Sequence, residues 1–208
     1  MIKNLLFDLG GVIMDIKRQN CVDAFQALGL QRADEFFGQF SQKGPFLQLE
    51  AGQITVEQFH DAVRPHLQPG ISDAQIDHAF CQFLVGIPVH RLRQLQQLRR
   101  RFKVYLLSNT NPIMWHSRIA QEFAQDGLCR EDYFDGMITS FEARALKPDA
   151  QIFRHAIEHL NIDPEETIFF DDSQSNLDTA STLGFYTALV PDGCEFSEIL
   201  ARHSVIMQ

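Results

Sequence analysis

Four short apolar runs, each ending abruptly in small, acidic or hydroxyl residues, constrain this chain more than any other feature. They are Ile2 to Asp8, Val104 to Ser108, Met137 to Ser140 and Thr167 to Asp171. Runs of this length, aliphatic and β-branched without polar alternation, fit strands buried on both faces, and such strands occur in parallel sheets covered by helices. Phe185 to Val190 reads as a fifth strand. Apolar residues at helical spacing fill the intervals Pro88 to Arg101, Pro112 to Gln125, Asp149 to Leu160 and Ser173 to Leu183. Lys147-Pro148-Asp149 opens the third of these, with the proline at the helix start. The alternation predicts an α/β fold with a doubly wound, Rossmann-like parallel sheet.

The interval between the first two strands is far longer than a crossover needs. Within it, Asn20 to Leu28, Ala33 to Phe40, Val56 to His66 and Asp73 to Leu84 carry helical periodicity, separated by Gly29, Gly52 and Pro69-Gly70. We therefore expect an all-helical unit over 15–87, inserted into an α/β core formed by 1–14 and 88–208. Phe46 to Gly52 reads as a turn between two of its helices. Arg99-Arg100-Arg101 reads as a basic helix end complementing the dipole.

With 208 residues, 45% of them hydrophobic, the chain can bury a sizeable core. Its formal net charge of −9 argues against nucleic acid as a partner, because phosphate-backbone binding needs clustered Lys and Arg. The first apolar run is broken by Lys3, Asn4 and Asp8, and no run reaches membrane-spanning length, so no membrane partner and a cytoplasmic location are expected. Cys21, Cys81, Cys129 and Cys194 lie far apart, as reduced thiols rather than a disulfide framework or zinc site. The histidines are likewise expected to be dispersed, without a pair that seeds a metal site.

Ligands of open α/β sheets collect at the carboxyl ends of the strands. Asp8, Ser108 with Asn109, Lys147, and Asp171 with Asp172 all fall there. Three carboxylates at one sheet edge repel one another unless a divalent cation and the lysine offset them, and a phosphate completes the charge balance.

Asp8-Leu9-Gly10-Gly11-Val12, Leu106-Leu107-Ser108-Asn109-Thr110, Lys147-Pro148 and Phe169-Phe170-Asp171-Asp172-Ser173 resemble, in order and spacing, the four motifs of the haloacid dehalogenase superfamily. The helical insertion is similar to the C1 cap of that superfamily, and the wording of the motifs is similar to bacterial phosphatases acting on α-glucose 1-phosphate. The resemblance implies a magnesium-dependent phosphatase of a small phosphorylated metabolite, a sugar phosphate such as glucose 1-phosphate, working through an aspartyl phosphate on Asp8. It implies that Asp8, the main-chain carbonyl of Gly10 and Asp172 hold magnesium, with Asp171 acting through a water. Ser108 and the amide of Asn109 would bind the phosphoryl oxygens, and Lys147 would neutralise both Asp8 and phosphate. A monomer or weak dimer is expected.

Most phosphatases of that superfamily carry a second Asp two residues after the nucleophile, where this chain has Gly10. The missing acid favours leaving groups that need little protonation, such as an anomeric oxygen, since general acid assistance is worth roughly 10²- to 10⁴-fold. Two alternatives stand beside this reading: a dehalogenase that attacks carbon without metal, and a catalytically weak protein that binds a phosphometabolite or a partner protein. Glu50, in the expected cap turn, is a candidate substrate contact. Asp15 is expected to cap the first inserted helix, Asn176 to orient the carboxylates, and Trp115 and His116 to pack beneath the Ser108 loop.

Overall fold

The computed structural model describes residues 1–37 and 42–202. Its strands are β1 (Asn4–Phe7), β2 (Asp15–Ile16), β3 (Leu84–Gly86), β4 (Lys103–Ser108), β5 (Gly136–Thr139), β6 (Thr167–Asp171) and β7 (Tyr186–Leu189). Its helices are α1 (Arg18–Ala27), α2 (Gly44–Glu50), α3 (Val56–Val63), α4 (Asp73–Cys81), α5 (Val89–Leu98), α6 (Pro112–Met114), α7 (Ala120–Phe123), α8 (Arg130–Tyr133), α9 (Ser140–Ala143), α10 (Ala150–Leu160), α11 (Gln174–Thr182) and α12 (Phe196–Arg202).

Five strands form one parallel sheet in the order β5-β4-β1-β6-β7. The chain moves outward from β1 to β4 and β5, then returns past β1 to add β6 and β7 on the other side. That reversal opens a crevice at the carboxyl end of β1, the usual ligand position in such sheets. Successive side chains of a strand point to opposite faces, and the core divides accordingly. Leu5, Phe7, Val104, Leu106, Ile168 and Phe170 pack on one face, while Leu6, Tyr105, Leu107 and Phe169 pack on the other. Phe7 stacks on Phe170 at 4.8 Å, and Phe153 of α10 meets Phe169 edge-on at 5.5 Å. The doubly wound sheet expected from the apolar runs is present.

The segment before β3 is helical, and its neck is an antiparallel ribbon of β2 and β3. Five rings, those of Phe25, Phe37, Phe46, Phe59 and Phe80, pack together there, continuous with the core on the Phe7 face of the sheet, with centroids 4.6 Å apart for Phe37 and Phe46 and 5.1 Å for Phe46 and Phe80. Capping boxes start α3 and α4, with Thr55 and Ser72 accepting from the amides of Gln58 and Gln75.

Several local expectations are corrected. Of the stretch Ala33 to Phe40, Ala33–Glu35 forms a short 3-10 turn, and residues 38–40 lie outside the described residues. Phe46 to Gly52 is mostly helix α2, because Pro45 fits a first turn and Phe46 and Leu49 bury the same face. Pro112 to Gln125 is a composite helix, with a π-helical stretch at Trp115–Ile119 between α6 and α7. Pro148 precedes α10 rather than opening it: Asp149 is the N-cap, its Oδ1 accepting from the Gln151 amide at 2.8 Å. The Arg99-Arg100-Arg101 run lies just past α5, and Arg99 reaches across to Asp135 instead of serving only its own helix end. Among the described residues, no helix is long and apolar enough to cross a membrane.

Candidate active site

The carboxyl ends of β1, β4 and β6 open on one cavity, lined by Asp8, Gly10, Glu50, Ser108, Asn109, Lys147, Asp172 and Asn176 among others. All the residues predicted as a set at the sheet edge are therefore brought together, with Asp171 directly beneath. One carboxylate oxygen each from Asp8, Asp171 and Asp172 lies within 4.8 Å of the others.

Lys147 organises this cluster. Its Nζ lies 2.7 Å from Asp8 Oδ1 and 2.7 Å from Asp171 Oδ2, and its side chain is 1% exposed. Burial opposes a charge on this ammonium, yet the Asp171 and Asp8 carboxylates more than offset that, holding it above the usual lysine range. Asp171 Oδ1 accepts from the Ser173 amide at 2.8 Å and from Asn176 Nδ2 at 2.9 Å. Three donors thus hold Asp171, which anchors Lys147, and Asn176 sits in the orienting position expected of it.

Asp8 Oδ1 also accepts from the Leu9 amide at 2.7 Å, which fixes the carboxylate plane. Burial pushes the Asp8 carboxyl up to about 7; Lys147 pulls it down, while Asp171 and Asp172 repel its charge. Asp172 is raised to about 6, first by burial and then by Asp171. Both shifts come first from burial, and repulsion from Asp171 adds to it in each case. Gly11 is required by the close approach of Asp172. It adopts φ +78°, and a Cβ there would fall 2.4 Å from Asp172 Oδ2.

Asn109 has a role that sequence reasoning missed. Its side-chain Nδ2 donates to the Lys147 carbonyl at 2.9 Å, and its Oδ1 accepts from the Lys147 amide at 2.9 Å. The pair clamps the loop after β4 to the loop carrying Lys147, across a cis Lys147–Pro148 peptide. Ser140 Oγ and the backbone of Thr110 bond each other at 3.0 Å beside it. No sequence signal marked either link, because both depend on two loops meeting from distant parts of the chain.

Asp15 does not cap α1, whose N-cap is Lys17 without a side-chain bond. Asp15 instead accepts from Arg91 Nη1 at 2.7 Å, and Arg91 also reaches the Ile13 carbonyl and Glu195, tying β2 to the core. Trp115 is buried, with the Arg130 guanidinium 4.1 Å over its ring. The histidines are less dispersed than expected: His155 and His159 stack at 3.6 Å on α10, although no third ligand joins them among the described residues.

Known proteins resemble this chain over nearly its whole length. The haloacid dehalogenase-like hydrolase family matches residues 2–184. A D-ribitol-5-phosphate phosphatase of Bacteroides thetaiotaomicron is 34% identical over 200 residues, covering 96% of this chain and 97% of that protein. A crystal structure of a HAD family enzyme from Bacteroides thetaiotaomicron, in complex with magnesium and inorganic phosphate, superposes with a TM-score of 0.89 at 41% identity. That similarity covers 95% of this chain and 98% of the other. A predicted HAD-like hydrolase from Porphyromonas gingivalis gives a TM-score of 0.89 at 31% identity, with 97% of each chain covered. With that match over most of its length, this chain belongs to the haloacid dehalogenase-like hydrolase family.

Proposed function

We propose that the protein is a magnesium-dependent phosphatase of a small sugar or sugar-alcohol phosphate, with Asp8 as nucleophile. The observation that carries this reading is the trio of carboxylates within 4.8 Å of one another beside the buried Lys147 ammonium. Its donors are all oxygen, the ligand type of a hard divalent cation. Burial first, and repulsion from Asp171 second, disfavour charge on Asp8 and Asp172, and such an ion offsets both. Asp172, the second oxygen of Asp8 and the Gly10 carbonyl are the proposed ligands. Asp171, held by Lys147, Ser173 and Asn176, keeps one acceptor site on Oδ2 and acts from behind through a water. When bound, magnesium supplies charge stabilisation to the transferring phosphoryl group.

The chain's own groups do the rest. Asp8, held by the Leu9 amide and Lys147, presents a carboxylate in a fixed plane to phosphorus. Ser108 and the Asn109 amide receive phosphoryl oxygens, and Lys147 spreads its charge over nucleophile and phosphate. A haloacid substrate, itself a carboxylate, gains nothing from Asp172, so the site favours phosphoryl transfer over dehalogenation.

The substrate class is supported from two sides. The missing acid at Gly10 favours a sugar 1-phosphate such as α-glucose 1-phosphate, while the similarity to a D-ribitol-5-phosphate phosphatase favours a primary polyol phosphate. Phosphate release from both, with magnesium, tests the reading. The expected result is turnover of at least one by the wild type and loss of at least 10³-fold in Asp8→Asn, since removing a nucleophile removes the covalent route. Full activity in that variant, or no turnover across a panel of sugar phosphates, sinks it.

A further inference from the structure

In an in-line displacement the leaving oxygen departs from the side of phosphorus opposite the nucleophile. With Asp8 on the sheet, that side is covered by the helical insertion, whose neighbourhood contributes Ile16, Gln42, Glu50, Phe83 and Leu84 to the cavity wall. Glu50 is the one ionisable group in this set. It is 7% exposed, and among the described residues burial is the one influence that shifts its carboxyl, with no hydrogen bond or charge beside it. A buried carboxyl group facing a cavity without a partner carries a desolvation cost that substrate contact would relieve.

Its position is fixed by the backbone. Glu50 ends α2, and two residues later Gly52, at φ +62°, presses on α9 so closely that a Cβ there would lie 2.1 Å from the Phe141 carbonyl oxygen. The end of α2 is thus docked against the element that Ser140 ties to the Thr110 loop. Asp8, Lys147 and Asp172 share the cavity with Glu50, and Cys21 lies behind it.

We propose that Glu50 is the acid and base of the reaction, replacing the carboxylate absent at Gly10. The proposal rests on the phosphatase reading above. In the first step an Asp8 oxygen bonds to phosphorus as the bond from phosphorus to the leaving oxygen breaks. The electron pair stays on that oxygen, which takes the Glu50 proton and departs as an alcohol. In the second step water enters from the vacated side and attacks phosphorus. Its proton passes to the Glu50 carboxylate while the bond to Asp8 breaks, releasing phosphate and restoring both carboxyl groups. Burial pushes the Glu50 carboxyl up to about 8, so it carries its proton at neutral pH and readily takes one back.

The test is Glu50→Gln in the full chain with magnesium, on a primary polyol phosphate and on p-nitrophenyl phosphate, whose phenolate leaves unprotonated. The expected result on the primary phosphate is a fall in kcat of roughly 10²- to 10⁴-fold. On p-nitrophenyl phosphate the first equivalent of phenolate should appear at the wild-type rate and later turnover should slow, giving a burst of one equivalent per site. At position 10 a Cβ meets only Ile16 at 3.5 Å and φ is not left-handed, so Glu50→Gln combined with Gly10→Asp should recover activity on the primary phosphate. Equal slowing of both substrates without a burst, or a change confined to KM, overturns the proposal. Asp8→Asn run in parallel separates the two failures: its turnover fails the phosphatase reading, whereas wild-type turnover with an inert Glu50→Gln substitution fails only the role of Glu50.

Discussion

At the scale of single residues, the site is a balance of buried charges, and Glu50 lies outside that balance. Lys147 is shared between Asp8 and Asp171, whereas Glu50 meets no cation among the described residues, and burial raises its carboxyl to about 8. The sign of the resulting pH dependence follows directly. In the unfolded chain Glu50 ionises near pH 4.5, while in the fold it keeps its proton until about 8, so the folded state binds the extra proton throughout that window. Stability from this group is therefore fully present below about 4.5 and declines as pH rises toward 8. Glu50→Gln, which cannot ionise, should match the wild type near pH 4.5 and exceed it by on the order of 2–4 kcal/mol at pH 8, since each tenfold change in proton affinity is worth about 1.4 kcal/mol. Urea unfolding at the two pH values checks this, and a gap that does not widen with pH would show that Glu50 is solvated.

At the scale of elements, strands were legible and contacts between loops were not. Asp8, Ser108 and Asp171 could be placed because each ends an apolar run, and a parallel sheet puts all such ends on one edge. Helix α2 was hidden because Gly44, Pro45 and Gly52 bracket only seven helical residues, so breaker signals outweighed the pair Phe46 and Leu49. The ribbon of β2 and β3 was hidden for a similar reason, since two- and three-residue strands carry no alternation. The Asn109 clamp on Lys147 and the Asp15 link to Arg91 join residues distant in sequence, and no local pattern encodes them. Gly52 shows what such docking demands. Gly52→Ala places a methyl 2.1 Å from the Phe141 carbonyl oxygen and forces a left-handed backbone on alanine, at about 1–2 kcal/mol for the backbone alone. The end of α2 must shift, carrying Glu50 with it. We expect kcat on a primary phosphate to fall at least tenfold, by roughly the 10²-fold that a 1 Å misplacement can cost, while the protein stays folded by circular dichroism. Wild-type kinetics in this variant would mean that the contact does not set the site.

At the scale of the whole molecule, the fold brings three carboxylates together at the point where the sheet reverses direction, and the cost of doing so is borne by the folded state alone. The unfolded chain holds Asp8 far from Asp171 and Asp172, so their repulsion appears only on folding. A divalent cation that binds the folded cluster and not the unfolded chain must therefore stabilise the molecule in proportion to its affinity. At a magnesium concentration 100-fold above its Kd the gain is about 2.7 kcal/mol, which for a chain of this size corresponds to a rise in Tm of roughly 5–10 °C. Calorimetry with magnesium and with a chelator should show that rise together with loss of activity on chelation, and intact secondary structure in both states. Asp172→Asn separates the cluster from general salt effects. It removes a proposed ligand and one repelling charge, so the metal-free variant should melt at or above the metal-free wild type while losing most of the magnesium-dependent rise. The same rise in the variant as in the wild type would place the ion elsewhere, and would leave the raised Asp8 and Asp172 carboxyls without their proposed counter-ion.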